Sequence, residues 1–234
     1  MLGDDWTAQL KSGQPGFCSN NKHIQGEPVS NNTLQEIYDG FADTYEENRG
    51  LFDMTEIFES FYSRLSVETG RVLDMGCGAG EPFSRLFVDR GFTVVGVDFS
   101  KRMLELASRY VPQMETIHAD MREVKFEPNQ FEAIVAIFSL FHVPCRDHRE
   151  LFERFYQWLQ PEGKLLFTYA TKEYTGKDEF DGYKTFMGQK LYYSHTTPEK
   201  LYALLEKIGF TIESTDYRNL GNETLLWVTV SKPA

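Results

Sequence analysis

After residue 70 the chain alternates between short, nearly continuous apolar runs and longer stretches in which apolar residues recur every three or four positions. A short run fits a buried strand, the longer period fits an amphipathic helix, and their alternation predicts a parallel sheet with helices on both faces. Strands are expected at 71–75, 93–98, 115–118, 131–138, 164–170, 210–216 and 224–231, with helices near 82–90, 101–110, 146–159 and 198–208. The helix ends carry matching chemistry. Pro82 and Pro198 fit a first turn, Ser100 and Thr197 an N-cap, and Gly91 and Gly209 the left-handed position just past the end. No helical pattern separates the last two runs, so they are expected to form an antiparallel hairpin. The predicted fold class is α/β: a doubly wound, mostly parallel seven-stranded sheet with an antiparallel edge hairpin.

Before residue 70 the pattern is helical. Leu34, Ile37, Tyr38, Phe41, Ala42 and Tyr45 share one face of a first helix. A second is expected from 53 to about 65, where Asp53 and Glu56 have capping-box spacing ahead of Ile57, Phe58, Phe61 and Tyr62. Residues 1–30 lack apolar periodicity and are expected to be a flexible N-terminal arm. Residues 171–195 are rich in Gly and aromatic side chains and fit neither a short loop nor a simple helix. An insertion at a strand end is where a lid over a site is expected. The organisation is therefore an arm at 1–30, capping helices at 31–66, and a ligand-binding catalytic domain at 67–234 with a lid insertion at 171–195.

Composition narrows the choice of partner. A chain of 234 residues suits one sizeable core. Its 24 basic against 35 acidic residues give a net charge of -11, which opposes attraction to phosphate backbones and anionic lipid. Nucleic acid and membrane are therefore not expected as partners, and the chain is expected to be a monomer or homodimer. There is no apolar run of about 18 residues and no secretory leader pattern, so the expected compartment is the cytoplasm. Cys18, Cys77 and Cys145 are odd in number and widely spaced, which suits a reducing compartment.

The strongest local signal runs from Val72 through Asp74 and Met75 into Gly76, Cys77, Gly78, Ala79 and Gly80. A strand that enters a glycine turn ahead of a helix lets backbone touch a ligand and aims free N–H groups at it. The next strand ends on Asp98, where a carboxylate can accept from both hydroxyls of a ribose. A nicotinamide cofactor uses much the same arrangement, but its fingerprint wants a third glycine where this chain has Glu81 followed by Pro82.

From about residue 34 onward, four pieces in order resemble the class I S-adenosylmethionine-dependent methyltransferases of single-domain, small-molecule type. They are the glycine loop at 73–80, the strand end at 96–104 around Asp98, the acidic turn at 118–121, and the run at 131–143 followed by 159–167. The resemblance implies a Rossmann-like methyltransferase fold, S-adenosyl-L-methionine as cofactor and S-adenosyl-L-homocysteine as its product. It implies that Asp74 orders the glycine loop and holds the amino group of the methionine moiety, with Gly76, Cys77 and Gly78 passing close to it. By the same likeness Asp98 binds the ribose, Phe99 and Met103 flank the adenine, and Asp120 and the Met121 backbone meet its edge. Ile137 and Phe138 lie under the sulfonium and its methyl group. Tyr45 and Arg49 reach the cofactor from the first helix, Arg49 toward its carboxylate. Tyr38 and Tyr45 fit ordinary core packing equally well.

Six aromatic residues in the insertion, Tyr174, Phe180, Tyr183, Phe186, Tyr192 and Tyr193, favour an acceptor with apolar or aromatic surface. Two histidines are candidate catalytic bases: His142 at the end of the fourth strand and His195 at the close of the insertion. His195 is preferred because it lies on the insertion, and packing roles stand beside catalysis for both. Cys77 has no base near it in sequence and is expected to pack. His142, Cys145 and His148 supply three ligand types without a fourth, so no metal is expected. Two alternatives remain open: a nicotinamide-dependent oxidoreductase, and a non-catalytic S-adenosylmethionine-binding regulator.

Overall fold

In the computed structural model, which describes residues 31–47, 53–186, 188–220 and 223–234, every apolar run after residue 70 is a strand. Helices α1 (Asn31–Glu47) and α2 (Thr55–Tyr62) precede β1 (Arg71–Met75), α3 (Phe83–Asp89), β2 (Thr93–Asp98), α4 (Lys101–Tyr110), β3 (Glu115–His118) and β4 (Phe131–Ala136). Then come α5 (Cys145–Trp158), β5 (Leu159–Tyr169), the short α6 (Lys172–Thr175), β6 (Phe180–Phe186), β7 (Gln189–His195), α7 (Pro198–Ile208), β8 (Thr211–Leu220) and β9 (Glu223–Ser231). The expected arm at 1–30 lies outside the described residues.

Seven strands form one sheet in the order β3-β2-β1-β4-β5-β9-β8. The first five are mutually parallel, and β9 runs antiparallel to both β5 and β8. This is the doubly wound sheet with an antiparallel edge hairpin that the sequence pattern predicts. Successive side chains of a strand point to opposite faces, so each strand feeds two cores. Leu73, Met75, Val95, Val97, Ile134 and Phe167 pack on one face with Leu151, Phe152 and Phe155 of α5 and Leu201 and Leu205 of α7. Val72, Val94, Ala133, Val135 and Leu166 pack on the other with α2, α3 and α4. Burial on both faces explains why these strands read as continuous apolar runs.

The caps follow the chemistry of their residues. Ser100 accepts from the Met103 N–H and Thr197 from the Lys200 N–H, Pro198 opens α7, and Gly91 and Gly209 take φ of 85° and 117° past their helices. Several expectations need correction. The second helix starts at Thr55 and ends at Tyr62, and Asp53 forms no capping box: its carboxylate accepts from the Thr55 N–H at 2.9 Å, one residue before the N-cap. Strand β4 stops at Ala136, because Phe138 turns into the left-handed region at φ 54° and gives its N–H to Thr168 Oγ1 at 2.7 Å. The 171–195 segment is an ordered unit, α6 followed by the antiparallel β6–β7 hairpin, with Leu191 to His195 all buried.

Candidate functional site

Strand order sets where a ligand fits. From β1 the chain moves to β2 and β3 on one side, then returns to β4 and β5 on the other. Such a reversal opens a crevice at the carboxyl ends of the strands on either side of it. Here that crevice is a cleft of about 270 Å³.

One wall is the glycine loop after β1. The N–H groups of Gly76 and Cys77 both donate to Val97 O, at 2.7 and 3.1 Å, which ties the loop to the end of β2. Gly76 has φ 82°, and a Cβ there would stand 2.4 Å from Ser139 Cβ. Gly78 has φ 51° with open space where a side chain would project, so its backbone is bared to the cleft. Cys77 is buried, and a Cβ on Gly96 would lie 2.7 Å from its sulfur. Burial pushes its thiol up, so Cys77 has the environment of a packing residue rather than a nucleophile.

Two buried carboxylates flank this loop. Asp74 accepts from Ser84 Oγ at 2.6 Å; burial raises its pKa to about 7, the Ser84 bond opposes that rise, and the charge of Asp98 adds to it. Asp98 accepts from the Gly78 N–H at 2.9 Å and the Ser100 N–H at 2.8 Å. Burial raises it to about 6 in spite of those two bonds. Each oxygen keeps a further lone pair for a hydroxyl. Asp120 and Met121 close the same end, where Asp120 is paired with Arg122, whose Nη2 is 2.6 Å from Oδ2.

All the predicted cofactor residues whose side chains are described line this one cleft: Asp74, Gly76, Cys77, Gly78, Asp98, Phe99, Met103, Asp120, Met121, Ile137 and Phe138. The Tyr45 side chain and Arg49 lie outside the described residues. Tyr38, on the first-helix face that the sequence left between cofactor contact and core packing, lines it too, and so do Leu34, Met54, Glu81, Phe83, Arg122 and Val143, which were not singled out from sequence as ligand-binding. Glu81 does mark the departure from a nicotinamide fingerprint. The cleft holds Asp74, Glu81, Asp98 and Asp120 against Arg122, so its electrostatics suit a cationic ligand.

The two histidines are separated. His142 lines the cleft, with Nδ1 2.7 Å from Tyr192 O and Nε2 2.7 Å from Tyr38 Oη. A carbonyl can only accept, so Nδ1 carries the proton and the Tyr38 hydroxyl donates to Nε2. Burial lowers the His142 pKa to about 4, against the upward pull of the Tyr192 carbonyl. His195 is not among the cleft-lining residues. It is 1% exposed, bonded through Nε2 to Thr175 Oγ1 at 2.7 Å and through Nδ1 to Thr196 O at 3.1 Å. Of the two candidate bases the cleft therefore includes His142 and not His195, whose ring faces Phe180 and Tyr169. His148 is also occupied: Nε2 faces Val143 O at 2.8 Å and Nδ1 faces Tyr169 Oη at 3.2 Å. Among the described residues no group of three His, Cys, Asp or Glu side chains is arranged to hold a metal.

A parallel sheet with a glycine loop after β1 and a carboxylate ending β2 defines a doubly wound, nucleoside-binding protein. The family is more specific: residues 48–215 match the methyltransferase domain model, and the chain belongs to that family. It is 33% identical over 111 residues to the demethylmenaquinone methyltransferase of Oceanobacillus iheyensis, covering 44% of this chain and 46% of that one. It is 28% identical over 213 residues to phosphoethanolamine N-methyltransferase 1 of Zea mays, covering 88% of this chain and 40% of that one. The chain thus spans less than half the length of these two relatives. Among solved structures, the fold matches 1,6-didemethyltoxoflavin-N1-methyltransferase of Burkholderia thailandensis, determined with 1,6-didemethyltoxoflavin and S-adenosylhomocysteine bound. The TM-score is 0.66 at 19% identity, over 90% of this chain and 94% of that one.

Proposed function

We propose that this chain transfers a methyl group from S-adenosyl-L-methionine to a small acceptor bearing apolar or aromatic surface. The observation that carries the proposal is the convergence of eleven predicted cofactor residues on one cleft. Their chemistry fits the group: paired acceptor sites on Asp98 for ribose hydroxyls, bared backbone at Gly78, and carboxylates suited to a ligand carrying sulfonium and ammonium charge. When bound, the cofactor supplies an electrophilic methyl group on a good leaving group. Asp74, Gly76, Cys77 and Gly78 hold its amino-acid end, and Asp98 orients its ribose. Phe99, Met103, Asp120 and Met121 surround its adenine, with Ile137 and Phe138 beneath the reacting methyl.

The chain's remaining tasks are alignment, exclusion of water and proton handling. Leu34, Tyr38, Met54, Phe83 and Phe138 give the acceptor end its apolar walls. Tyr38 and His142 are the proton-handling pair: the Tyr38 oxygen accepts the acceptor's proton as its own hydroxyl proton passes to His142 Nε2. Because burial disfavours the charged imidazole, this relay suits an acceptor whose proton becomes acidic only as the methyl arrives. The capping helices, the insertion as a lid and a monomeric or homodimeric cytoplasmic protein belong to the same reading, as does the lack of a nucleic-acid or membrane partner, which the net charge of -11 supports. Calorimetry with S-adenosylhomocysteine, and mass spectrometry of a metabolite extract incubated with protein and S-adenosylmethionine, test it. Saturable binding and an acceptor heavier by one methyl group are expected; a folded protein that binds neither cofactor form overturns the proposal.

A further inference from the structure

On the nucleoside side of the cleft, Asp39 of α1 meets the cap of α4 without itself lining the cleft. Asp39 Oδ1 accepts from Ser100 Oγ at 2.5 Å and from the Arg102 N–H at 3.3 Å. Ser100 is the hinge of this contact. Its hydroxyl accepts from the Met103 N–H at 3.2 Å and so caps α4, while its own N–H donates to Asp98 Oδ1. A hydroxyl that gives its single proton to Asp39 presents its lone pairs to the Met103 N–H. The carboxylate on α1 therefore fixes the rotor that caps α4 and braces the residue that grips Asp98.

The preceding residue works on the opposite wall. Tyr38 donates to His142, which follows β4, and meets Phe99 edge-on with ring centroids 5.6 Å apart. Ala42, one turn further along α1, packs with Ala79, Met103 and Leu106. Helix α1 is thus seated on Ser100, Phe99 and Met103, and it brings Leu34 and Tyr38 to the acceptor end.

We propose that Asp39 is a positioning residue that couples occupancy of the nucleoside subsite to the seating of α1. This inference rests on the reading of the cleft as an S-adenosylmethionine site. A ligand that orders Asp98, Phe99 and Met103 stabilises the surface on which α1 sits, and by reciprocity a seated α1 tightens the ligand. Asp39 carries that coupling because its carboxylate joins α1 to the Ser100 hydroxyl that caps α4.

The test uses S-adenosylhomocysteine with the full chain, read by calorimetry and by hydrogen exchange. In the wild type, ligand is expected to slow exchange both in the glycine loop at 76–80 and in α1. In Asp39→Ala the dissociation constant is expected to rise about fivefold or more, as for loss of a cap, with protection of α1 lost and that of the glycine loop kept. Asp39→Asn should restore both readouts, since its amide oxygen still accepts from Ser100. Ser100→Ala and the double variant complete a cycle with Asp39→Ala: a double variant no weaker than Ser100→Ala alone supports coupling through this bond, and additive losses overturn it. If Asp39→Ala folds poorly, Asp39→Asn decides alone, wild-type affinity and protection supporting the role and loss of either overturning it. Wild-type affinity with wild-type protection of α1 in Asp39→Ala, or an Asp39→Asn variant that behaves like Asp39→Ala, overturns the role of Asp39 alone. Failure of the wild type to bind overturns the functional reading and this one together.

Discussion

Asp98 sits where burial and hydrogen bonding pull in opposite directions, and burial wins by enough to bring its pKa to about 6, with Asp74 at about 7. Between the ordinary value of 3.8 and these raised values, the folded chain keeps protons that the unfolded chain has released. Stability from the two groups is therefore present at acid pH and lost as pH rises through about 6 and 7. Ribose binding needs the carboxylate, so affinity runs the other way: S-adenosylhomocysteine should bind progressively more weakly below pH about 6. Calorimetry across this range should find the dependence flattened in Asp98→Asn, and binding about tenfold or more weaker at neutral pH. At the acceptor end, Tyr38→Phe and His142→Ala should each cut turnover by about 10²-fold with cofactor affinity little changed, once an acceptor is in hand. His195→Ala should instead lower stability by about 1–3 kcal/mol in urea unfolding, since it breaks buried hydrogen bonds outside the cleft lining. The Asp98 site was legible because its partners lie within one strand, one turn and one helix cap. The Tyr38–His142 pair was not, because its members stand 104 residues apart and only the folded sheet joins them.

At the scale of elements, what could be read was whatever one local period or one cap decides. The seven sheet strands follow from apolar runs, and α4 and α7 from Ser100 and Thr197, whose side chains take the cap bonds. The β6–β7 hairpin was harder to see because its two strands obey different rules. Strand β6 alternates between half-buried and exposed residues, whereas Leu191 to His195 of β7 are buried on both sides. Neither pattern alone resembles a hairpin arm. Strand β7 is covered instead by Phe141 and α1, both remote in sequence, and by Tyr174 from the start of the same segment. Gly209 shows the reverse case, a turn fixed by one residue. Its φ of 117° and a Tyr156 hydroxyl 3.1 Å from any added Cβ leave no relaxed conformation for alanine. Gly209→Ala should lower unfolding free energy by about 1–2 kcal/mol with no change in cofactor binding, measured by urea melts and calorimetry.

Over the whole molecule, the sheet separates two kinds of task. Its two faces are packed tightly with helices, and the chemistry gathers at the carboxyl ends, where backbone turns rather than cores vary. One strand of that sheet also governs when it can exist at all. Strand β9 wedges between β5 and β8, so a strand synthesised after both completes pairing that β5 began some sixty residues earlier. During translation β5 waits with an open edge, and β8 has no neighbour until β9 emerges from the ribosome. A nascent chain stalled before residue 223 should remain protease-sensitive and prone to self-association, and should become resistant within seconds of release.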